Sequence, residues 1–134
     1  RGRHLRTDVS MPISAIAPFI AAAGEAIRAL SPAATVLAYG HVGDGNLHFN
    51  VVPPDGLDRQ GKIDFLHRCE ACIFEVLDRL GGSISAEHGI GRIKRDAFLS
   101  RISPVHRDLL GAIKKAFDPA GIMNPGRILE HPVR

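Results

Sequence analysis

Aromatic rings are scarce in this chain of 134 residues: it has no Trp, one Tyr and six Phe, 5% in all. Single-stranded nucleic acids are held by stacking bases on aromatic platforms, so that class of partner is poorly provided for. The net charge is +3, dispersed apart from Arg92, Lys94, Arg95 and the terminal arginines, and it suits a small anion better than a polyanion. Cysteine is nearly absent. Cys69 and Cys72 form a lone Cys-x-x-Cys inside a helical stretch with no second pair, which argues against redox chemistry and against half of a zinc site. They fall inside a stretch of helical periodicity, where a free thiol behaves as a small hydrophobe. Two unpaired thiols suit a reducing compartment: the cytoplasm, at most peripheral to an inner membrane, or the mitochondrial matrix in a eukaryote. No apolar run reaches the roughly 20 residues that span a bilayer, so no transmembrane segment is expected. The basic opening, 1–6, leads into no signal-peptide core and there is no initiator Met, which reads as an interior position of a longer protein. Neither a complete Gly-x-Gly-x-x-Gly nor a His-Glu-x-x-His occurs.

What is present is one domain's worth of chain with an ordinary hydrophobic fraction of 45%. Residues 8–12 read as a short strand stopped by Pro12, which has no N–H to give a ladder. Residues 13–30 place Ile16, Phe19, Ile20, Ala23, Ile27 and Leu30 at helical spacing, with Ser14 or Pro18 near the first turn. Residues 35–42 and 47–52 read as two arms of a hairpin. Residues 63–80 form a second helix stopped by Gly81-Gly82, and 83–87 a fourth strand. The order β-α-β-β-α-β predicts an α+β, ferredoxin-like sandwich: a four-stranded antiparallel sheet with both helices on one face and the other face uncovered. That core spans 8–91. A helical tail, 92–134, comes after it, with short helices over 94–102 and 104–117 and a turn-rich stretch over 118–126.

The stretch Gly40-His-Val-Gly-Asp-Gly-Asn-Leu-His48 carries the most chemistry. Asp44-Gly45 is the dipeptide that a two-residue type I′ hairpin turn prefers, since both central residues need positive φ. With that turn as the loop, His41 faces His48 and both imidazoles project from one face. Asn50, two residues on, shares it. Glu87 lies farther along in Ala86-Glu-His-Gly-Ile-Gly91. His41, His48 and Glu87 form a ligand set suited to a catalytic divalent metal, zinc, manganese or ferrous iron, with zinc or manganese expected first and positions left open for substrate. The alternative is a hairpin carrying two exposed polar histidines. Asp44 is explained by its turn and is a poor ligand.

His88 is adjacent to Glu87, and neighbours in a regular strand point to opposite faces. Gly89 and Gly91 permit the chain to leave strand geometry there, so that His88 can return to the same site. Imidazoles exchange protons near neutral pH, which makes His88 a candidate general base; a turn histidine at a strand end is the competing reading. Arg6 and Arg92 are candidate carboxylate anchors by their guanidinium forks, against a default of solvated surface charge.

As a set, Asp8-Val-Ser-Met-Pro12, Gly40 to His48, Ala86 to Gly91 with Lys94, and Asp118-Pro-Ala-Gly-Ile-Met-Asn-Pro-Gly126 resemble the C-terminal domain of FAD-linked oxidases of the vanillyl-alcohol oxidase type. The similarity is strongest to the group of glycolate oxidase, D-lactate dehydrogenase and D-2-hydroxyglutarate dehydrogenase. The resemblance implies that residues 1–134 form a cap and substrate domain, that FAD is bound mainly by a separate N-terminal domain, and that the chain alone is inert. It implies oxidation of a small 2-hydroxy acid, with an electron acceptor left open. It also implies a divalent metal on His41, His48 and Glu87, the base at His88, substrate contacts from Asn50, and the Asn near the flavin at Asn124. Two positions depart from the family pattern: a family Lys is Arg6 here, and a closing Lys is Arg127. Both keep charge but change reach. A second copy or a partner subunit is a further expectation. Two other classes remain open on the residues alone: a free-standing ferredoxin-like module that binds a metal or small molecule without catalysis, and a basic interaction domain.

Overall fold

Strand β3 (Asn46–Val52) is central to the computed structural model, which describes residues 4–130. It lies between β1 (Leu5–Ser10) and β2 (Thr35–Tyr39), antiparallel to both, in the order β1-β3-β2. Alternation decides which side chains meet the helices. Leu47, Phe49 and Val51 point to one face and are buried to 1% exposure or less, joined there by Val9 of β1. Helix α1 (Ile16–Leu30), entered through a 3-10 turn at Ile13–Ala15, covers that face with Phe19, Ala23 and Ile27. Phe19 meets Phe49 edge to face, with ring centroids 5.4 Å apart. Helix α2 (Arg59–Arg79) adds Cys69, Ile73 and Leu77. It starts where the Asp58 carboxylate accepts the Gly61 N–H at 2.7 Å, an N-cap bond, and ends before Gly81 in the left-handed region. Residues 13–30 have the length and apolarity of a membrane span, with mean hydropathy 1.5. Their buried stripe packs on α2 and the sheet, as a core helix does.

The fold is thus the expected α+β sandwich with its helices on one face, but the sheet has three strands. The expected fourth strand, 83–87, is reduced to one bridge, in which Ser10 and Ser83 exchange backbone bonds of 3.0 and 2.7 Å. The bridge sits beside β1, where the fourth strand of this topology belongs. Beyond it, the N–H groups of residues 86–88 bond to a buried carboxylate instead of a neighbouring strand. A strand needs a ladder partner, and here a side chain takes that place.

The hairpin register also differs from expectation. Asp44 does not reach positive φ; only Gly45 does, at 72°. Residues Val42–Asp44 form a 3-10 turn, and His41 O accepts from Asp44 N and Asn46 N at 2.9 and 3.2 Å. The connection is a longer loop closed by one left-handed glycine. Gly45 is required there, because a Cβ would lie 2.3 Å from Met11 O. The pairing becomes Tyr39 opposite His48. A slip of two residues preserves the facing of every side chain, but it moves His41 from opposite His48 to a diagonal position.

The chain divides into two compact units, residues 1–88 and 89–134. The second holds α3 (Arg95–Leu99) and α4 (Pro104–Phe117). Helix α4 begins after a Ser103 N-cap and carries Pro104 at its first position. Val105, Leu109, Ile113 and Phe117 recur every four residues along it and are exposed. Asp118 ends the helix and organises the turn after it. Its carboxylate accepts from Lys114 Nζ at 2.7 Å, Ile122 N at 3.0 Å and Met123 N at 2.9 Å, and Lys114 Nζ also bonds Met123 O. The bond from Lys114, then those two amides, hold this carboxyl below the ordinary aspartate range. A depressed folded-state pKa means that the stabilisation is present above the unfolded pKa and is lost as pH falls through the folded one. The 118–123 turn is therefore expected to open only below the ordinary aspartate range, as pH falls through that depressed value. The amide shifts of Ile122 and Met123 followed by NMR should report that step, and Asp118→Asn should abolish it. Of the expected tail, residues 131–134 lie outside the described residues.

Candidate metal and substrate site

The face of the sheet away from the helices is built from alternate residues of all three strands. Asp8 stands opposite His48 and Arg6 opposite Asn50 across β1 and β3; Tyr39 stands opposite His48 on the other flank. Directly opposed residues share a face, so these five side chains line one surface. Four of them, Arg6, Tyr39, His48 and Asn50, border a cleft of about 470 Å³ that His88 also enters.

Asp8 organises the site. It is 2% exposed, and its Oδ2 accepts from Ser85 Oγ at 3.2 Å and from the N–H groups of Ala86, Glu87 and His88 at 3.0, 3.1 and 2.9 Å. Three successive amides aimed at one oxygen form a concave anion seat. This seat bends residues 85–88 back over the sheet and presents Glu87 and His88 together. Glu87 Oε1 lies 3.4 Å from His48 Nε2 and 3.9 Å from His88 Nε2. The Asp8 carboxylate lies 3.9 Å from His48 Nδ1 and 3.8 Å from His88 Nδ1. The two imidazoles stack with centroids 5.4 Å apart and planes 22° from parallel. Among the described residues, Asp8, His48, Glu87 and His88 form the group whose ligating atoms all lie within 4.8 Å of one another.

That donor set fits a divalent cation. Two ligands about 2.0–2.1 Å from a tetrahedral ion sit about 3.4 Å from each other, which is the His48–Glu87 separation. Asp8 suits a supporting role better than ligation, since its Oδ2 already accepts three N–H groups and the Ser85 hydroxyl. The arrangement is the outer layer that orients ligands by hydrogen bonding.

Of the residues singled out from the sequence, His48, Glu87, His88, Asn50 and Arg6 share this face. His41 lies in the exposed loop, and its place directly opposite His48 is taken by Tyr39. Asn124 is exposed in the second unit at φ 48°, a left-handed conformation that Asn tolerates. A larger cavity in that unit, about 900 Å³, lies against Lys114, Lys115, Asp118 and Arg127; it brings together no imidazole and is not the centre of this chemistry. Sequence reasoning alone does not single out Asp8 or Tyr39. Asp8 carries a signal nonetheless: a carboxylate in the middle of a strand whose neighbours, Thr7 and Val9, are buried, because a buried charge requires partners.

Comparison with known proteins places the chain in a family. The sequence model of the family "FAD linked oxidases, C-terminal domain" matches residues 2–128. A D-2-hydroxyglutarate dehydrogenase of Stutzerimonas stutzeri is 36% identical over 126 residues, covering 92% of this chain and 26% of the relative. A mitochondrial D-2-hydroxyglutarate dehydrogenase of Arabidopsis thaliana is 35% identical over 130 residues, 97% of this chain and 22% of the relative. An uncharacterized FAD-linked oxidoreductase of Mycobacterium tuberculosis is 37% identical over 121 residues, 89% and 24% respectively. The chain thus spans about a quarter of the length of these relatives.

Proposed function

This chain belongs to the family of C-terminal domains of FAD-linked oxidases, and from that membership we propose that it is the substrate-side domain of an FAD-dependent 2-hydroxy-acid dehydrogenase, of the kind its D-2-hydroxyglutarate relatives are named for. The observation that carries the reading is the convergence of His48, Glu87 and His88 on the uncovered sheet face. His48 and Glu87 would hold a divalent cation, zinc or manganese, with His41 joining from its diagonal loop position. A bound flavin would supply a hydride acceptor, and a cation held by His48 and Glu87 would supply stabilisation of the deprotonated substrate hydroxyl.

The chain's own residues do the rest. Arg6 offers its guanidinium to a carboxylate; among the described residues its recorded bond is from Nε to His4 Nε2 at 2.8 Å. Asn50 adds an amide beside it in register. His88 lies with Nδ1 3.8 Å from Asp8 Oδ2 and Nε2 3.9 Å from Glu87 Oε1, and its imidazole would take the hydroxyl proton. Buried Cys69, whose thiol burial pushes up to about 11, takes no part. A reducing setting, cytoplasm or mitochondrial matrix, suits its free thiol. The exposed stripe of α4 suits packing against another domain or subunit.

In an intact flavin-loaded enzyme, His88→Ala is expected to lower turnover about 10²–10⁴-fold, the range for loss of a positioned general base, with flavin content unchanged. Undiminished turnover with 2-hydroxy acids would remove His88 from this role.

A further inference from the structure

Two side-chain oxygens among the described residues are buried without a partner, Asn46 Oδ1 and Asn50 Oδ1. Native proteins rarely leave a buried acceptor unpaired, and each case calls for a reason. Asn50 lies in the cleft with Arg6, Tyr39, His48 and His88 and is 6% exposed. The nitrogen end of its amide is engaged: Nδ2 donates to Tyr39 Oη at 3.1 Å. Tyr39 Oη is the acceptor in that bond, so its own O–H remains to donate elsewhere.

The ring of Tyr39 is held as well. It stands directly opposite His48, with ring centroids 5.2 Å apart and planes at 48°. A hydroxyl fixed by an amide, on a ring fixed by a neighbouring imidazole, is a preorganised donor at the edge of the cleft. The side chain is 55% exposed, so packing alone does not account for a large aromatic at this position. Arg6 stands opposite Asn50 and adds positive charge to the same surface.

We propose that Tyr39 is a specificity-determining residue of this cleft: its hydroxyl, oriented by Asn50, donates a hydrogen bond to the carboxylate of the bound hydroxy acid. The inference rests on the hydroxy-acid reading of the site and adds to it the residue that recognises the anion. Tyr39 holds the substrate and takes no proton from it. Arg6 supplies charge, and Tyr39 supplies direction.

The composition provides a direct test. Tyr39 is the single tyrosine and there is no tryptophan, so tyrosine emission from the 134-residue chain comes from this one side chain. Zn²⁺ would be added first, then D-2-hydroxyglutarate, with calorimetry alongside emission. The expected result is an emission change on adding the acid to the Zn²⁺-loaded chain. Tyr39→Phe keeps the ring over His48 and removes only the hydroxyl. It should weaken acid binding about tenfold to a hundredfold, the effect of losing a hydrogen bond to a charged group, while Zn²⁺ affinity stays within about twofold, as expected where no ligand or ligand-orienting bond is removed. Equal acid affinity in Tyr39→Phe and the parent chain would overturn the inference and leave the hydroxy-acid site standing. An intact flavin-loaded enzyme that takes up Zn²⁺ but neither binds nor oxidises the acid would remove that reading, and the inference with it.

Discussion

Replacing His48 with Ala is expected to weaken Zn²⁺ binding by at least about a hundredfold, beyond the 10–100-fold that accompanies loss of an outer-layer partner. His48 is the side chain on which the geometry of the site depends. It opposes Asp8 on one flank and Tyr39 on the other, and its Nε2 lies 3.4 Å from Glu87 Oε1. No other imidazole among the described residues combines a strand position with a carboxylate at that separation. His41→Ala should cost less, because residue 41 sits in a loop diagonal to the site. Calorimetric titration of both variants beside the parent chain checks the order, and equal affinities in all three would remove His48 from the ligand set. Acidification should weaken binding in the parent chain, since ligating imidazoles must be neutral.

The second large effect is expected from Asp8. Its Oδ2 gathers the Ser85 hydroxyl and three consecutive backbone amides. Asp8→Ala leaves those partly buried N–H groups without an acceptor. Unsatisfied buried donors cost about 1–3 kcal/mol each, and breaking one side of a buried charged network about 3–5 kcal/mol. A loss of about 3–5 kcal/mol in unfolding free energy is therefore expected. It should be accompanied by faster hydrogen exchange at Ala86, Glu87 and His88. The variant should also lose metal affinity, by about 10–100-fold, because Glu87 is carried on the segment that Asp8 seats. Unchanged exchange at residues 86–88 would show that the segment is held by something else.

The relation between Asp8 and residues 83–88 explains why a strand pattern there does not become a strand. Ser83-Ile-Ser-Ala-Glu has the right alternation, and Ser83 does bridge to Ser10. Strand propensity cannot reveal that a carboxylate 77 or more positions earlier will satisfy the next amides. The hairpin departs from its local signal for a different reason: Asp44-Gly45 favours a type I′ turn, yet Gly45 O accepts Met11 N at 3.0 Å, with a fit so close that no Cβ is tolerated. The contact with Met11 accompanies a longer loop and a register two residues away from the local preference.

The sequence by itself determined the two core helices, the central strand and the faces they present. The periodicities of α1 and α2 and the alternation of Leu47, Phe49 and Val51 place the core on one side, and the same alternation puts His48 and Asn50 on the other. These are short-range properties, set by side-chain period and by the hydrophobic effect. Only the tertiary structure decided which groups meet at His48. Strand register brought Asp8 and Tyr39 to its flanks, and a buried carboxylate seated Glu87 and His88 above it. Those contacts join residues up to 80 positions apart, and their partners are fixed by the pairing of strands and the closing of loops, which no local pattern encodes.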